Sequence, residues 1–308
     1  MLEFVAEPCT TDVYFLGECC RWDDVRGELY WVDIMSGRFF RATADASDVR
    51  ILRTYQLPGD LCALAPLQER HDGWIVALDT SLGVLDEAGG YREVTNLEGH
   101  NEAVARLNDG VADPWGRFIV GSMARPGHQG RANLFCYHES SGASRVFGDV
   151  TISNGVGWSP DRRTMYYVDS APATIHAFDV DEDGDISRRR LFAQFDAAND
   201  GAPDGLCVDA NGNLWVALWG GFEVRQFSPA GEQLATVSIS TAQPSSCAIG
   251  GVNGTTLYIT TAQEDMASEA LAAQPDAGRL FCVDVHVHGQ PLDAYRPTLL
   301  TATDTPLH

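Results

Sequence analysis

Leu29-Tyr30-Trp31-Val32 is the first of six short apolar segments that repeat one pattern along the chain. The others are Trp74-Ile75-Val76-Ala77, Phe118-Ile119-Val120-Gly121, Met165-Tyr166-Tyr167-Val168, Leu214-Trp215-Val216-Ala217 and Leu257-Tyr258-Ile259-Thr260. Their first residues lie 45, 44, 47, 49 and 43 positions apart. Each segment reads as a buried strand between turn signals, and a repeat of that length marks a β-propeller blade. Further period-two segments follow most of them, among them Arg38-Phe39-Phe40-Arg41, Asn133-Leu134-Phe135-Cys136, Ile175-His176-Ala177-Phe178, Val224-Arg225-Gln226-Phe227 and Arg279-Leu280-Phe281-Cys282. Such alternation is the signal of half-buried strands. The expected fold is all-β: a six-bladed β-propeller of four-stranded antiparallel blades, one domain over residues 1–308 with a tail from about residue 290. Only Asp265–Ala273 offers a short helical pattern. The last repeat is one strand short, so residues near Glu3–Ala6 are expected to supply its outer strand and close the ring, which removes exposed sheet edges.

Composition narrows the function classes. The 308 residues carry a net charge of −22, and all 21 basic residues are arginine. An acidic surface disfavours nucleic acid and anionic membranes, both of which are bound through clustered cations. No apolar run reaches the length of a membrane span. Met1-Leu2-Glu3-Phe4 lacks the basic start and apolar stretch of a secretory signal. None of the eight cysteines forms a Cys-x-x-Cys pair. The expectation is a cytoplasmic protein with reduced, mostly buried thiols, a monomer or weak homo-oligomer.

The repeat also supplies an internal alignment. Ten or eleven residues before the apolar segments of blades one, three, four and five stand Glu18, Asn108, Asn154 and Asp204. The same offset gives Ala63 or Leu64 in blade two and Ser246 or Cys247 in blade six. These positions precede the strands that line the channel, so the four polar residues are expected to face one another at its mouth. Asn-Gly and Asp-Gly are also strong turn formers, but Gly17-Glu18-Cys19 has no such reading. Carboxylates converging in a partly buried site repel unless a cation sits between them. Oxygen donors of this kind suit Ca²⁺, Mg²⁺ or Mn²⁺ better than Zn²⁺ or Fe²⁺, since no thiolate or imidazole completes the set.

The same residues carry a family resemblance. Leu16-Gly17-Glu18 with Trp22, Arg106-Leu107-Asn108-Asp109-Gly110 with Asp113-Pro114-Trp115-Gly116-Arg117, Gly121-Ser122-Met123, Ser153-Asn154-Gly155 with Trp158-Ser159-Pro160-Asp161, and Pro203-Asp204-Gly205-Leu206 with Leu214-Trp215-Val216-Ala217 occur in order. Over about residues 14–290 they resemble the regucalcin/gluconolactonase superfamily, and Ala217-Leu218-Trp219-Gly220-Gly221-Phe222 looks closest to bacterial sugar-acid lactonases. The resemblance implies one divalent metal, Ca²⁺ first, held by Glu18, Asn154 and Asp204, with Arg106 and Asn108 contacting a sugar lactone. Two departures stand out: Cys19-Cys20 follows the glutamate where relatives place a small residue and proline, and Arg125-Pro126 stands where animal members carry acidic residues.

The chemistry expected on this basis is lactone hydrolysis. A divalent ion polarises a carbonyl and acidifies water. Asp204 would serve as ligand and general base, and Arg106 offers a planar fork of donors to hydroxyls or a developing oxyanion. Alternatives are a related metal-dependent esterase or phosphotriesterase, or a calcium-binding propeller without turnover. Other signals are weaker. Asp179-Val180-Asp181-Glu182-Asp183-Gly184 opens like an EF-hand loop, but the twelfth position is Arg190, so an acidic hairpin turn in blade four is expected. His286-Val287-His288 and Arg188-Arg189-Arg190 read as solvated surface, and Cys19, Cys20 and Cys247 as buried small side chains near the channel. Trp219 is the aromatic residue placed nearest the channel.

Overall fold

The computed structural model describes residues 1–68, 72–97, 101 and 103–297. Six sheets stand in chain order around one axis. Blade one is built from Gly17–Asp23, Glu28–Asp33, Arg38–Asp45 and Asp48–Gln56, each strand antiparallel to the next. The six apolar segments of the repeat all lie on second strands, from Glu28–Asp33 to Thr256–Thr261. The inner strands are Gly17–Asp23, Leu61–Pro66, Ala105–Ala112, Ser153–Trp158, Ala202–Val208 and Pro244–Gly250. Flanked by strands within the blade and by neighbouring blades, the second strands are apolar on both faces, and Trp31, Trp74 and Trp215 on them are fully buried.

Aromatic side chains join the blades. Trp74 of blade two lies edge-on to Phe39 of blade one at 5.0 Å and to Tyr30 at 6.0 Å. The guanidiniums of Arg26 and Arg41 sit over its ring at 5.3 and 5.2 Å. Losing such a side chain costs about 3–5 kcal/mol.

The ring closes with an N-terminal strand, but not the expected residues. Glu7–Pro8 pairs antiparallel with Phe281–Asp284 and supplies the fourth strand of blade six. Leu2–Val5 instead pairs parallel with Gln233–Ser238 and gives blade five a fifth strand. Pro8 has no N–H to donate, which suits the outermost position of a sheet. The one α-helix among the described residues is Ser268–Ala273, within the segment expected to form one. Among the described residues no helix is long and apolar enough to cross a membrane.

The inner strands all run the same way through the channel, so their first residues gather at one end and their last at the other. Each carries a register shift near its start. The shifts fall between Glu18 and Arg21, Leu61 and Ala63, Leu107 and Gly110, Ser153 and Val156, Pro203 and Leu206, and Pro244 and Ser246. A β-bulge of this kind bends the strand and re-aims a side chain. The segment after residue 289 crosses the other end: Gln290 Nε2 donates to Trp158 O and Val208 O, and Tyr295 N donates to Pro66 O.

Candidate functional site

The bulges select the candidate residues. Taken as the residue that follows the one paired with Asp33, Leu78, Ser122, Asp169, Leu218 or Thr261, each just after its repeat segment, the ring consists of Glu18, Cys62, Asn108, Asn154, Asp204 and Ser245. The four polar residues expected from the offset are therefore equivalent. In blades two and six the equivalent residues are Cys62 and Ser245, one position before those the offset indicated. Glu18, Asn108, Asn154 and Asp204 are each at most 9% exposed.

Asn154-Gly155 and Asp204-Gly205 are not turns. Both lie within inner strands, and neither glycine has a positive φ. The glycines serve close approach instead. A Cβ on Gly155 would meet Asp204 O at 2.7 Å and Leu206 N at 2.8 Å; one on Gly205 would meet Ser246 Cα at 2.7 Å. Blades four, five and six thus close together at the height of the ring, which sets how near Asn154 and Asp204 come. In blade one Cys19 carries the strain, with φ 51°, and its N–H donates to Glu18 Oε2 at 3.0 Å.

One hydrogen-bond chain joins most of the candidates. Arg106 Nη1 donates to Leu107 O at 2.8 Å and Asn108 Oδ1 at 3.1 Å, with Cys62 Sγ at 3.8 Å. Asn108 Nδ2 donates to Ser153 O at 2.9 Å and Asn154 Oδ1 at 3.0 Å. Asn154 Nδ2 donates to Ser170 Oγ at 2.9 Å, and that hydroxyl donates to Pro203 O at 2.6 Å. The chain fixes the Asn154 amide so that its oxygen keeps one lone pair for another partner. Asp204 is buried and its Oδ1 has no hydrogen-bond partner.

Electrostatics sharpen that deficit. Burial pushes the Glu18 carboxyl up to about 8; the Asp109 charge adds to the rise, and the Cys19 N–H and the guanidiniums of Arg21 and Arg106 oppose it. Burial also drives Asp204 well above the usual carboxylate range, helped by the charges of Glu18 and Asp109. Beneath the ring, Arg21 Nη2 meets Asp109 Oδ1 at 3.3 Å, both side chains buried. Three buried carboxyl groups (Glu18, Asp109, Asp204) thus stand against two buried guanidiniums (Arg21, Arg106), and all three ionised together would leave one negative charge in excess. Buried charge without a partner is costly. A divalent cation fits this set: it would reverse the excess and take up the free Asp204 Oδ1 and the spare lone pair of Asn154. Among the described residues no group of three or more His, Cys, Asp and Glu side chains is arranged to hold a metal. The set has only two ring carboxylates and depends on the Asn154 amide.

Several residues of this end escaped sequence reading. Arg21 and Asp109 are 88 positions apart, and nothing in either stretch announces the other. Ser170 follows the second strand of blade four, and Glu264 lies in a turn, so neither falls on the shared offset. Cys62 and Ser245 could have been found by counting one residue further back. Trp219 is half-buried and packs against the core cluster that includes Cys62.

The set-aside signals have structural roles. Asp181 Oδ1 accepts from the N–H groups of Asp183 and Asp185, which makes the acidic stretch a hairpin turn between Thr174–Val180 and Ile186–Gln194. From the outermost strand of blade four, Arg188 and Arg190 pair with Asp179 on the strand beside it. His286 pairs with Asp284 at the exposed end of a strand. All eight cysteines are free.

Comparison with known proteins agrees with this architecture. The family model described as the SMP-30/Gluconolactonase/LRE-like region matches residues 16–263. The chain is 36% identical over 283 residues to 6-deoxy-6-sulfogluconolactonase of Pseudomonas putida, covering 91% of this chain and 95% of that protein. It is 35% identical over 277 residues to L-arabinolactonase of Azospirillum brasilense, covering 86% and 87%. The crystal structure of a calcium-binding protein, regucalcin, from Agrobacterium tumefaciens superposes with a TM-score of 0.86 at 25% identity, covering 96% of this chain and 98% of that one. The chain belongs to the SMP-30/gluconolactonase/LRE-like family.

Proposed function

We propose that this protein hydrolyses sugar-acid lactones with one divalent ion, Ca²⁺ by preference, held by Glu18, Asn154 and Asp204. The observation that carries the reading is the unpartnered, buried Oδ1 of Asp204 in a pocket whose carboxyl groups outnumber its guanidiniums. The family, with relatives named for lactonase activity, supports the same reaction. When bound, the ion supplies a Lewis acid for the lactone carbonyl and lowers the pKa of water.

The chain's own groups divide the remaining work. Asp204 takes the proton of the attacking water, since a carboxylate at the edge of the ring reaches inward with one oxygen and outward with the other. Arg106 uses one nitrogen, Nη1, to hold Leu107, Asn108 and Cys62. Among the described residues it has no carboxylate partner within 4.0 Å, so its other N–H groups are left for sugar hydroxyls or the developing oxyanion. Asn108 commits both Nδ2 hydrogens to Ser153 and Asn154. What it offers a substrate is the second lone pair of Oδ1, and its larger contribution is to orient Asn154 and Arg106.

The test is pH-stat hydrolysis of gluconolactone, xylonolactone, arabinonolactone and galactonolactone, after chelation and on return of Ca²⁺, Mg²⁺, Mn²⁺ or Zn²⁺. Metal-restored turnover of at least one lactone is expected. Turnover that ignores chelation overturns the metal assignment. Ca²⁺ binding with no turnover on any lactone leaves a binding propeller.

A further inference from the structure

We propose that Glu264 sets the substrate class of this site: it accepts hydrogen bonds from the hydroxyls of a neutral polyhydroxy lactone and turns away lactones that bear an anionic substituent. The proposal rests on the lactonase reading above and adds a residue that lies outside the ring.

Glu264 follows the second strand of blade six, Thr256–Thr261, at the same end of the channel as the ring. Ala262 bridges to Leu16, two residues before Glu18, and Gln263 N donates to Phe15 O, so this turn is tied to the entry of blade one. Gln243 holds the turn from the other side: its Nε2 donates to Glu264 O at 3.0 Å. The backbone of Glu264 is therefore fixed, while among the described residues its half-buried carboxylate has neither ion pair nor hydrogen bond. Gln243 is 9% exposed, and its Oε1 is likewise buried without a partner. A half-buried carboxylate and a buried amide oxygen, both unmatched on two residues joined by that hydrogen bond, leave acceptors that lack donors.

Charged groups of other blades lie within electrostatic reach of Glu264. Burial raises its carboxyl, and the opposing influence is the Arg106 guanidinium. The charge of Glu264 in turn reaches Asp204. Glu264, after the second strand of blade six, and Arg106, at the start of the inner strand of blade three, thus both lie at the ring end of the channel, within electrostatic reach of each other but without an ion pair. A polyol fits between a donor wall and an acceptor wall, because each hydroxyl both gives and accepts a hydrogen bond. Asp265 and Asp60 add two further carboxylates around Glu264. A phosphate or sulfonate on the lactone would enter beside three negative charges, and like charge placed so is an effective means of rejection.

The experiment compares glucono-1,5-lactone with 6-phosphoglucono-1,5-lactone, which differ only in the terminal group, using metal-loaded wild type, Glu264→Gln and Glu264→Asp. Wild type is expected to favour the neutral lactone by about 100-fold in kcat/KM. Glu264→Gln should lower kcat/KM on the neutral lactone about tenfold, mainly through KM, and raise it on the phosphorylated one about tenfold, the scale of one charged hydrogen bond or one close like-charge contact. Glu264→Asp keeps the charge but not the reach, so it should lose the neutral substrate while still rejecting the anion. An unchanged neutral-to-anionic ratio in Glu264→Gln overturns the proposal, as does an equal loss on both substrates with kcat falling alone. Wild type that hydrolyses neither of these nor any of the four lactones of the first test, under any metal, overturns the lactonase reading itself.

Discussion

The two ends of the channel are made from the same six inner strands, yet they differ in kind. Where the strands begin, bulges turn Glu18, Asn108, Asn154 and Asp204 inward and leave polar atoms unmatched. Where they finish, a cavity of about 360 Å³ is walled mainly by apolar side chains such as Trp22, Val156, Trp158 and Val208, and Gln290–Asp293 also line it. Between them lies the buried Arg21–Asp109 pair. One strand direction therefore yields a chemical end and a packing end, and the local ladder geometry makes the difference. A regular strand would alternate its side chains without gathering four polar groups at one height.

This contrast can be broken most severely at the ring. Chelation should bring lactone hydrolysis to background and lower thermal stability by on the order of 3 kcal/mol relative to protein at 100-fold excess over Kd; calorimetry with and without returned Ca²⁺ reads both. Asp204→Asn should reduce kcat by about 10³-fold while leaving the circular dichroism spectrum of the wild type. At the packing end the pattern should reverse. Trp158→Ala is expected to cost about 3 kcal/mol of stability in urea melts and to change kcat/KM by less than about threefold, since the side chain packs in an apolar cluster at the opposite end of its strand from Asn154. If its activity fell in step with Asp204→Asn, the two ends would not be separable.

The smallest expected effect concerns Asp293, which lines the far cavity. Burial pushes its carboxyl up to about 6, opposed by Arg162 and helped by Asp113 and Asp24. An unfolded aspartate titrates near about 3.9. Between those values the folded chain keeps a proton that the unfolded chain releases, so stability falls as pH rises through that window, and the deficit persists above it. Asp293→Asn should flatten the dependence between about pH 4 and 6 and gain about 1–2 kcal/mol at pH 7. Melting curves across that range check the sign.

The sequence carried the blade repeat plainly because its second strands are apolar on both faces and recur at nearly constant spacing. It carried four ring positions because carboxylates and amides recur there at nearly one offset before the apolar segments. Cys62 and Ser245 stand at equivalent bulges but look like ordinary strand residues, so the count slipped by one. The closing strand was misplaced for a similar reason: Leu2–Val5 alternates like a strand, whereas Glu7–Pro8 is too short to show any period. Asn154-Gly155 and Asp204-Gly205 illustrate a different limit. The dipeptides suggest turns, and only the neighbouring blade's backbone, within 2.7 Å of a would-be Cβ, reveals why glycine is needed. Glu264 and the Arg21–Asp109 pair depend on contacts between distant blades, which no local pattern encodes.

The composite sixth blade also has a consequence in time. Glu7 meets Cys282 only after the chain between them has been made, so a segment synthesised early waits for a partner synthesised late. Blades one to four have their strands in continuous stretches and are free to assemble as they emerge, whereas blade six and the fifth strand of blade five await distant segments. Such late, long-range pairing slows the final step of folding. It also makes ring closure a checkpoint of synthesis: a chain cut short before Phe281–Asp284 leaves Glu7–Pro8 without a sheet to join and blade six without its third and fourth strands.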